Sequence, residues 1–325
     1  MPNLITHQLL AQEAADKMPA EIRSLLKSRS HLMGIGSSGP DFLFFQGLNP
    51  ASFWKPARIR QYGGKLHHSH VNDFYRSAID SIRTQKDPDI RRDMEAYVCG
   101  HLCHWALDST AHPYIFGRTG QGSPESSIRH HTMESLIDAI MLKIKKGQTI
   151  QDFYFPAIAD CSREEKRAVA RVYVPAISRI FQDDIRAHLI ADSLDDWHNM
   201  QKRFYDAAGR KKRGLQMAEK AVGQENLISG LVVPPEIEDN WDVLNLQHKR
   251  WVHPCDGTVV STDSFLDLYN QAVEKAVEAM TLFLEALANP DREAAFFGFL
   301  DDRGYDTGLN NDAPMVNFDI IDFKY

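Results

Sequence analysis

Along this chain apolar residues recur every three or four positions and almost never alternate. That is the period of a helix buried on one side, not of a half-buried strand. On this pattern residues 3–17 and 20–28 form short amphipathic helices. The stretch MGIGSSGPDFLFFQGLNP (33–50) opens as a glycine-rich loop, then runs helical or extended from Phe42 to Phe45. A helix follows at 72–85, with Asn72 placed to cap it. A long helix runs from about Asp89 to Ala111. Pro113 sets its end, because the residue before a proline is pushed out of the helical region. GRTGQGSPESS (117–127) reads as a loop, after which Ser126 or Ser127 caps a helix to about Lys146. Further helices are expected near 163–187, 192–222 and 262–288. Residues 224–260 read as irregular, and the Gly- and Asp-rich tail from Asn289 is poorly patterned. The expected fold class is all-α. One domain is expected over 1–290, with a core at 2–140, a helical extension at 145–290 and an irregular tail at 291–325.

Composition narrows the function classes. The net charge is −7 over 325 residues, which argues against broad, salt-dependent binding of nucleic acid. No apolar run is long enough for a transmembrane segment. The start, MPNLITHQLLAQEAADKM, has no basic opening, no apolar block and no small-residue cleavage site, so a cytoplasmic location is expected. Cys99 and Cys103 lie four apart on the expected long helix, a spacing that does not favour a disulfide, and free thiols are expected. Histidine is unevenly spread: ten of the fourteen fall within the first 131 residues, a hint of metal chemistry.

Candidate chemistry sits in GHLCHWALDSTAHP (100–113). His104, Asp108 and His112 are spaced i, i+4, i+8, so they stack along one helix face, drifting only about 40° per step. His130 and Glu134 repeat the four-residue spacing on the next helix, with Asp138 one turn on. Two antiparallel helices joined by a short loop can face these sets toward each other. A single such pair is usually a surface contact worth a few tenths of a kcal/mol. Here the surroundings (YVCG, WAL, PYIF) are too apolar for a solvated face. Buried imidazoles and carboxylates need strong partners, and this mixture suits zinc.

GHLCHWALDSTAHPY followed by HHTME resembles the zinc-dependent phospholipase C family, which is related in fold to the S1/P1-type nucleases. The resemblance covers about residues 2–140. It implies a multi-helix bundle with three zinc ions in a cleft. It also implies which residues would hold them: Asp41, His67, His104 and Asp108 for one; Asp108, His7 and the N-terminal residue for a second; His112, His130 and Glu134 for the third. Asp41 comes from SSGPD, and His67 is preferred to His68 and His70 in KLHHSH because the related nucleases have Leu-His at this point. The small residue after Met1 favours removal of the initiator, so Pro2, five residues before His7, would carry the metal-binding amine. His101, His131 and Asp138 are expected to be supporting groups, Cys103 a core thiol, and Arg118 a surface charge.

The function implied is hydrolysis of a phosphodiester of the phospholipase C type, zinc-activated water attacking the phosphorus of a phospholipid. No Ser or Cys nucleophile is needed, and Asp41 could serve as a base. Peripheral contact with a lipid surface would follow. A zinc nuclease or nucleotidase on the same metals is the alternative, although polymeric nucleic acid suits the acidic charge less well. A homologue that binds metal without catalysis is the third reading.

Overall fold

The computed structural model describes residues 4–49, 57–237 and 240–323. In chain order the helices are α1 (Leu4–Lys17), α2 (Ala20–Ser28), α3 (Ser30–Gly36), α4 (Arg60–His68), α5 (Val71–Thr84), α6 (Pro88–Thr119), α7 (Pro124–Lys146), α8 (Arg163–Phe181), α9 (Ala187–Phe204), α10 (Arg210–Val222), α11 (Phe265–Ala288) and α12 (Glu293–Leu300). Among the described residues the strands are one antiparallel hairpin, β1 (Trp251–His253) and β2 (Asp256–Ser261). The fold is all-α. No described helix is long and apolar enough to cross a membrane.

Everything is arranged round α6. Its 32 residues span about 48 Å. From Ala96 to Ile115 nearly every side chain is buried, because α1, α3, α5, α7, α8 and α11 all pack on it. A helix enclosed on all sides need not be amphipathic, and α6 is not. The closest approach is α3 against α6. A Cβ on Gly36 would lie 2.1 Å from the Tyr97 carbonyl oxygen, and one on Gly100 would lie 2.1 Å from that of Met33. MGIG is therefore not the opening of a loop: Met33–Gly36 finish a helix, and its glycines serve backbone contact. The turn after it ends in a 3-10 helix, Asp41–Phe45.

Several boundaries differ from those read off the sequence. α6 does not stop before Pro113 but continues to Thr119. The Ser109 carbonyl, left without its helical donor by that proline, is covered by the backbone at Gly308; a Cβ there would lie 2.2 Å from the oxygen. Tertiary packing thus overrides the helix-breaking tendency. α7 starts at Pro124, capped by Ser123 in a reciprocal box with Ser126, not by Ser126 or Ser127. Asn72 lies inside α5, where its side chain bonds Phe297 O (3.2 Å) and Asp302 N (3.3 Å). The expected helix at 192–222 is broken between α9 and α10, where Gly209 has φ +66°. α4, which no periodicity marked, carries the LHH motif.

The tail holds a short helix, α12, and then returns as an irregular strap. Tyr305 N donates to His67 O (2.8 Å), and Trp105 Nε1 donates to Arg303 O (2.9 Å). Asp319 N and Ile321 N donate to the carbonyls of Gly117 and Arg118, both at 2.8 Å. The strap ties α4 to both halves of α6. All four cysteines are free thiols, and Cys103 packs beside Met280 in the core.

Candidate metal centre

Four segments converge on one face of α6. His104, Asp108 and His112 stand on it in successive turns, all buried. α1 brings His7. The start of α1 is held by Asp138 of α7, whose carboxylate accepts from Ile5 N (3.1 Å), Thr6 N (2.8 Å) and Thr6 Oγ1 (2.6 Å). A carboxylate at a helix N-terminus satisfies free amides and complements the helix dipole. The turn after α3 brings Asp41. Gly39, φ +51°, lets that turn lie flat on His104: a Cβ there would sit 2.1 Å from the imidazole ring. α4 brings His67, and α7 brings His130 and Glu134, again one turn apart.

The ligand atoms form a continuous chain. His67 Nε2 is 2.9 Å from Asp41 Oδ1, which is 3.8 Å from His104 Nε2. His104 Nε2 is 2.9 Å from Asp108 Oδ2. The other oxygen of Asp108 lies 3.1 Å from His7 Nε2 and 3.6 Å from His112 Nε2. Glu134 Oε1 is 3.6 Å from His112 Nε2 and 3.1 Å from His130 Nε2. Three groups each have ligand atoms within 4.8 Å of one another: His7–His104–Asp108 and Asp41–His67–His104, which share His104, and His112–His130–Glu134. Of the residues the sequence singled out as ligands, all come together here except Pro2, which lies outside the described residues.

The donor set fits zinc on two grounds. First, His67 Nε2 and Asp41 Oδ1, and His104 Nε2 and Asp108 Oδ2, are in close contact yet have no hydrogen-bond partner. Buried polar atoms normally have one; atoms that approach without bonding each other are aimed at a shared cation. Second, the other ring nitrogen of three histidines is fixed from behind. Nδ1 of His67 donates to Gly63 O (2.7 Å), that of His104 to Ser37 O (3.2 Å), and that of His112 to Tyr305 O (3.2 Å). Such bonds set the tautomer that leaves Nε2 free as a ligand.

Residues 6–189, more than half the chain, match the family described as zinc dependent phospholipase C. The chain belongs to that family. No curated protein and no solved structure matches it. The matched span of this zinc dependent phospholipase C family member contains every residue of the three groups. It leaves out α10 to α12 and the strap.

Electrostatics of the centre are those of buried carboxylates among imidazoles. Burial alone would raise the carboxyl of Asp108, but His104, His112 and His7 hold it well below its usual range. Glu134 is likewise opposed by burial and held well down by His130 and His112. Burial disfavours charge on His67 and His112, yet Asp41 lifts His67 to about 9, and Asp108 with Glu134 lifts His112 to about 10. Without metal, these imidazoles are the counter-ions of the carboxylates. Asp138 is raised to about 7 by burial, against the opposing bonds from Thr6 and Ile5.

The remaining histidines sort by contact. His68, the neighbour of His67, turns outward and pairs with Asp306 at 2.9 Å. His70 pairs with Asp73 (3.2 Å). His101 is clasped between the hydroxyls of Tyr75 (2.8 Å) and Tyr173 (3.1 Å), and burial keeps it neutral. His131 lies 3.9 Å from Glu134 Oε2, and Arg118 pairs with Asp319.

Sequence reasoning missed Tyr305 and Asp306. The Tyr305 ring lies against His67 and His104, with centroids 5.2 and 5.5 Å away. Asp306 Oδ1 is 3.8 Å from His112 Nδ1. With His67, His68 and Asp312, Asp306 borders a cavity of about 200 Å³ at the edge of the centre. Cavities of about 530 and 780 Å³ exist elsewhere, but no ligand group lines them. The only local signal was GYDTG (304–308), two glycines bracketing an aromatic and a carboxylate. Gly304 and Gly308 are both close-approach positions, against His68 O (3.0 Å) and Ser109 O (2.2 Å) respectively.

Proposed function

We propose that this chain hydrolyses phospholipid at the glycerol–phosphate bond, using three zinc ions held by the groups described above. The observation that carries this is the convergence of buried imidazole nitrogens and carboxylate oxygens, with His67 Nε2 against Asp41 Oδ1 and His104 Nε2 against Asp108 Oδ2 in contact but not hydrogen-bonded. Asp41, His67 and His104 are assigned one ion; Asp108 is shared between this ion and the one beside His7; His112, His130 and Glu134 are assigned the third. Bound zinc supplies Lewis acidity, which makes water acidic enough to attack near neutral pH and offsets charge on the phosphoryl oxygens.

The protein's own groups do the rest. Gly63, Ser37 and Tyr305 carbonyls lock three ring orientations, so little reorganisation is needed on binding. Asp41, kept ionised by His104 and His67 despite burial, is assigned to take the proton of the attacking water. Tyr305 and Asp306 close the side of the cleft from the strap. The test is a substrate panel on protein purified without chelator: phosphatidylcholine, other head groups, single-stranded DNA and mononucleotides. Release of diacylglycerol from phospholipid is expected. Turnover of nucleotide substrates alone would transfer the site to the nuclease reading.

A further inference from the structure

Far along the chain from the zinc ligands, α10 and its flanks carry a charge opposite to that of the whole protein. Lys202 and Arg203 at the end of α9, and Arg210, Lys211, Arg213 and Lys220 on α10, are exposed, in a chain of net charge −7. Among the described residues none of the six is paired with a carboxylate; Lys211 and Arg213 bond only backbone carbonyls. The acids of the same stretch are turned inward. Asp206 accepts from Lys212 N (2.8 Å), and Glu219 accepts from Ile228 N (2.6 Å), Ser229 N (2.9 Å) and Ser229 Oγ (2.6 Å). Lys212, the one buried cation here, donates Nζ to Ser229 O and Val232 O, both at 2.8 Å. The fold thus pins α10 with its inner charges and leaves the outer ones unpaired.

Large apolar side chains stand among those cations. Met217 is 71% exposed, Val222 70%, Leu227 47% and Ile228 46%. Single exposed apolar residues are ordinary, but four within twelve positions, beside unpaired cations, are not. A groove of about 530 Å³ runs under Met217, floored by Leu136, Pro234 and Pro235; Glu225 and Glu236 also border it. The platform is tied to the metal centre: Ser135 of α7, next to Glu134, donates to Gly230 O.

We propose that this face docks on an anionic lipid bilayer. The four apolar side chains enter the interface, and the six cations meet lipid phosphates. Charge complementarity selects this occupant over a neutral membrane. The inference takes its purpose from the phospholipid reading of the metal centre, but docking is measured without turnover.

The experiment is sedimentation of the zinc-loaded full chain with vesicles of phosphatidylglycerol and phosphatidylcholine, or of phosphatidylcholine alone. A parallel assay follows hydrolysis of a monomeric short-chain phospholipid. Binding is expected to the anionic vesicles, to fall with salt, and to weaken on the order of a hundredfold in Lys211→Glu/Arg213→Glu/Lys220→Glu, about fivefold per cation lost. Met217→Ser/Leu227→Ser, both at exposed positions, should also weaken it, with short-chain hydrolysis unchanged in either variant. Equal binding to both vesicle types, wild-type binding by the charge variant, or capture of a single-stranded oligonucleotide in place of vesicles would overturn the proposal. Docking without hydrolysis of any phospholipid would keep it and refute the substrate reading instead.

Discussion

Replacing Asp138 by Ala tests how the metal centre is built, because Asp138 touches no ligand and yet fixes where His7 stands. Its carboxylate takes three hydrogen bonds from the first turn of α1, and both Ile5 and Thr6 are fully buried. Removing it leaves two backbone amides without an acceptor, at about 1–3 kcal/mol each, while the Thr6 hydroxyl can turn to another partner. A net loss of about 3–5 kcal/mol is expected once partial relaxation is allowed. That is a large share of the 5–15 kcal/mol typical of a folded domain, so the variant folds but melts roughly 4–7 °C lower. Thr6→Val removes one bond only and should cost about 1 kcal/mol. The distinguishing readout is metal. With the first turn of α1 released, His7 no longer holds its place, and zinc content should fall by about one ion while the group on α7 keeps its own. Differential scanning calorimetry and metal analysis on the same sample give both numbers. A variant that melts early but keeps its full zinc content would show that Asp138 is a stability residue alone.

Other outcomes follow from the same geometry. Asp108→Asn, at the point where two groups meet, should lower metal content by more than one ion, whereas Glu134→Gln should weaken a single one, as metal analysis would show. His67→Ala should abolish turnover and His68→Ala should leave most of it; the reverse pattern would shift the assignment within LHHSH by one residue. In zinc-free protein the stability contributed by His67 and His112 should be complete below about pH 6.5. His67 and His112 have folded values of about 9 and 10, above the unfolded value near 6.5, so their contribution is lost as pH rises through 9 and 10. Urea unfolding in chelator at pH 6.5 and 9.5 measures this. By the same protons, zinc loading at pH 7.5 should release at least about two per chain, read by calorimetry in buffers of different ionisation enthalpy.

The ligand types and their helix register were legible in the sequence because a helix turns a four-residue spacing into a shared face, and three such spacings fell in forty residues. Beyond the α6–α7 pair, which helices face one another was not legible. The meeting of α1 with α7 depends on Asp138 and Thr6, 132 residues apart; the four-residue spacing marks Asp138, but nothing in the sequence pairs it with Thr6. Pro113 and MGIG misled for one reason: local preference was read where contact decided, with Gly308 covering Ser109 and Gly36 lying against Gly100. The strap escaped notice because extended backbone that packs through its carbonyls leaves no periodic trace. Its Tyr305 and Asp306 reach the centre from beyond the span shared with the family.

Zinc analysis coupled to turnover on one preparation tests the central claim most directly. Protein purified without chelator should carry about three zinc ions per chain, one for each group of converging ligands, and should release diacylglycerol from phospholipid. Chelator should remove both the metal and the activity, and added zinc should restore them together. A fully active preparation holding a single ion, or turnover that persists after the metal is gone, would contradict the account.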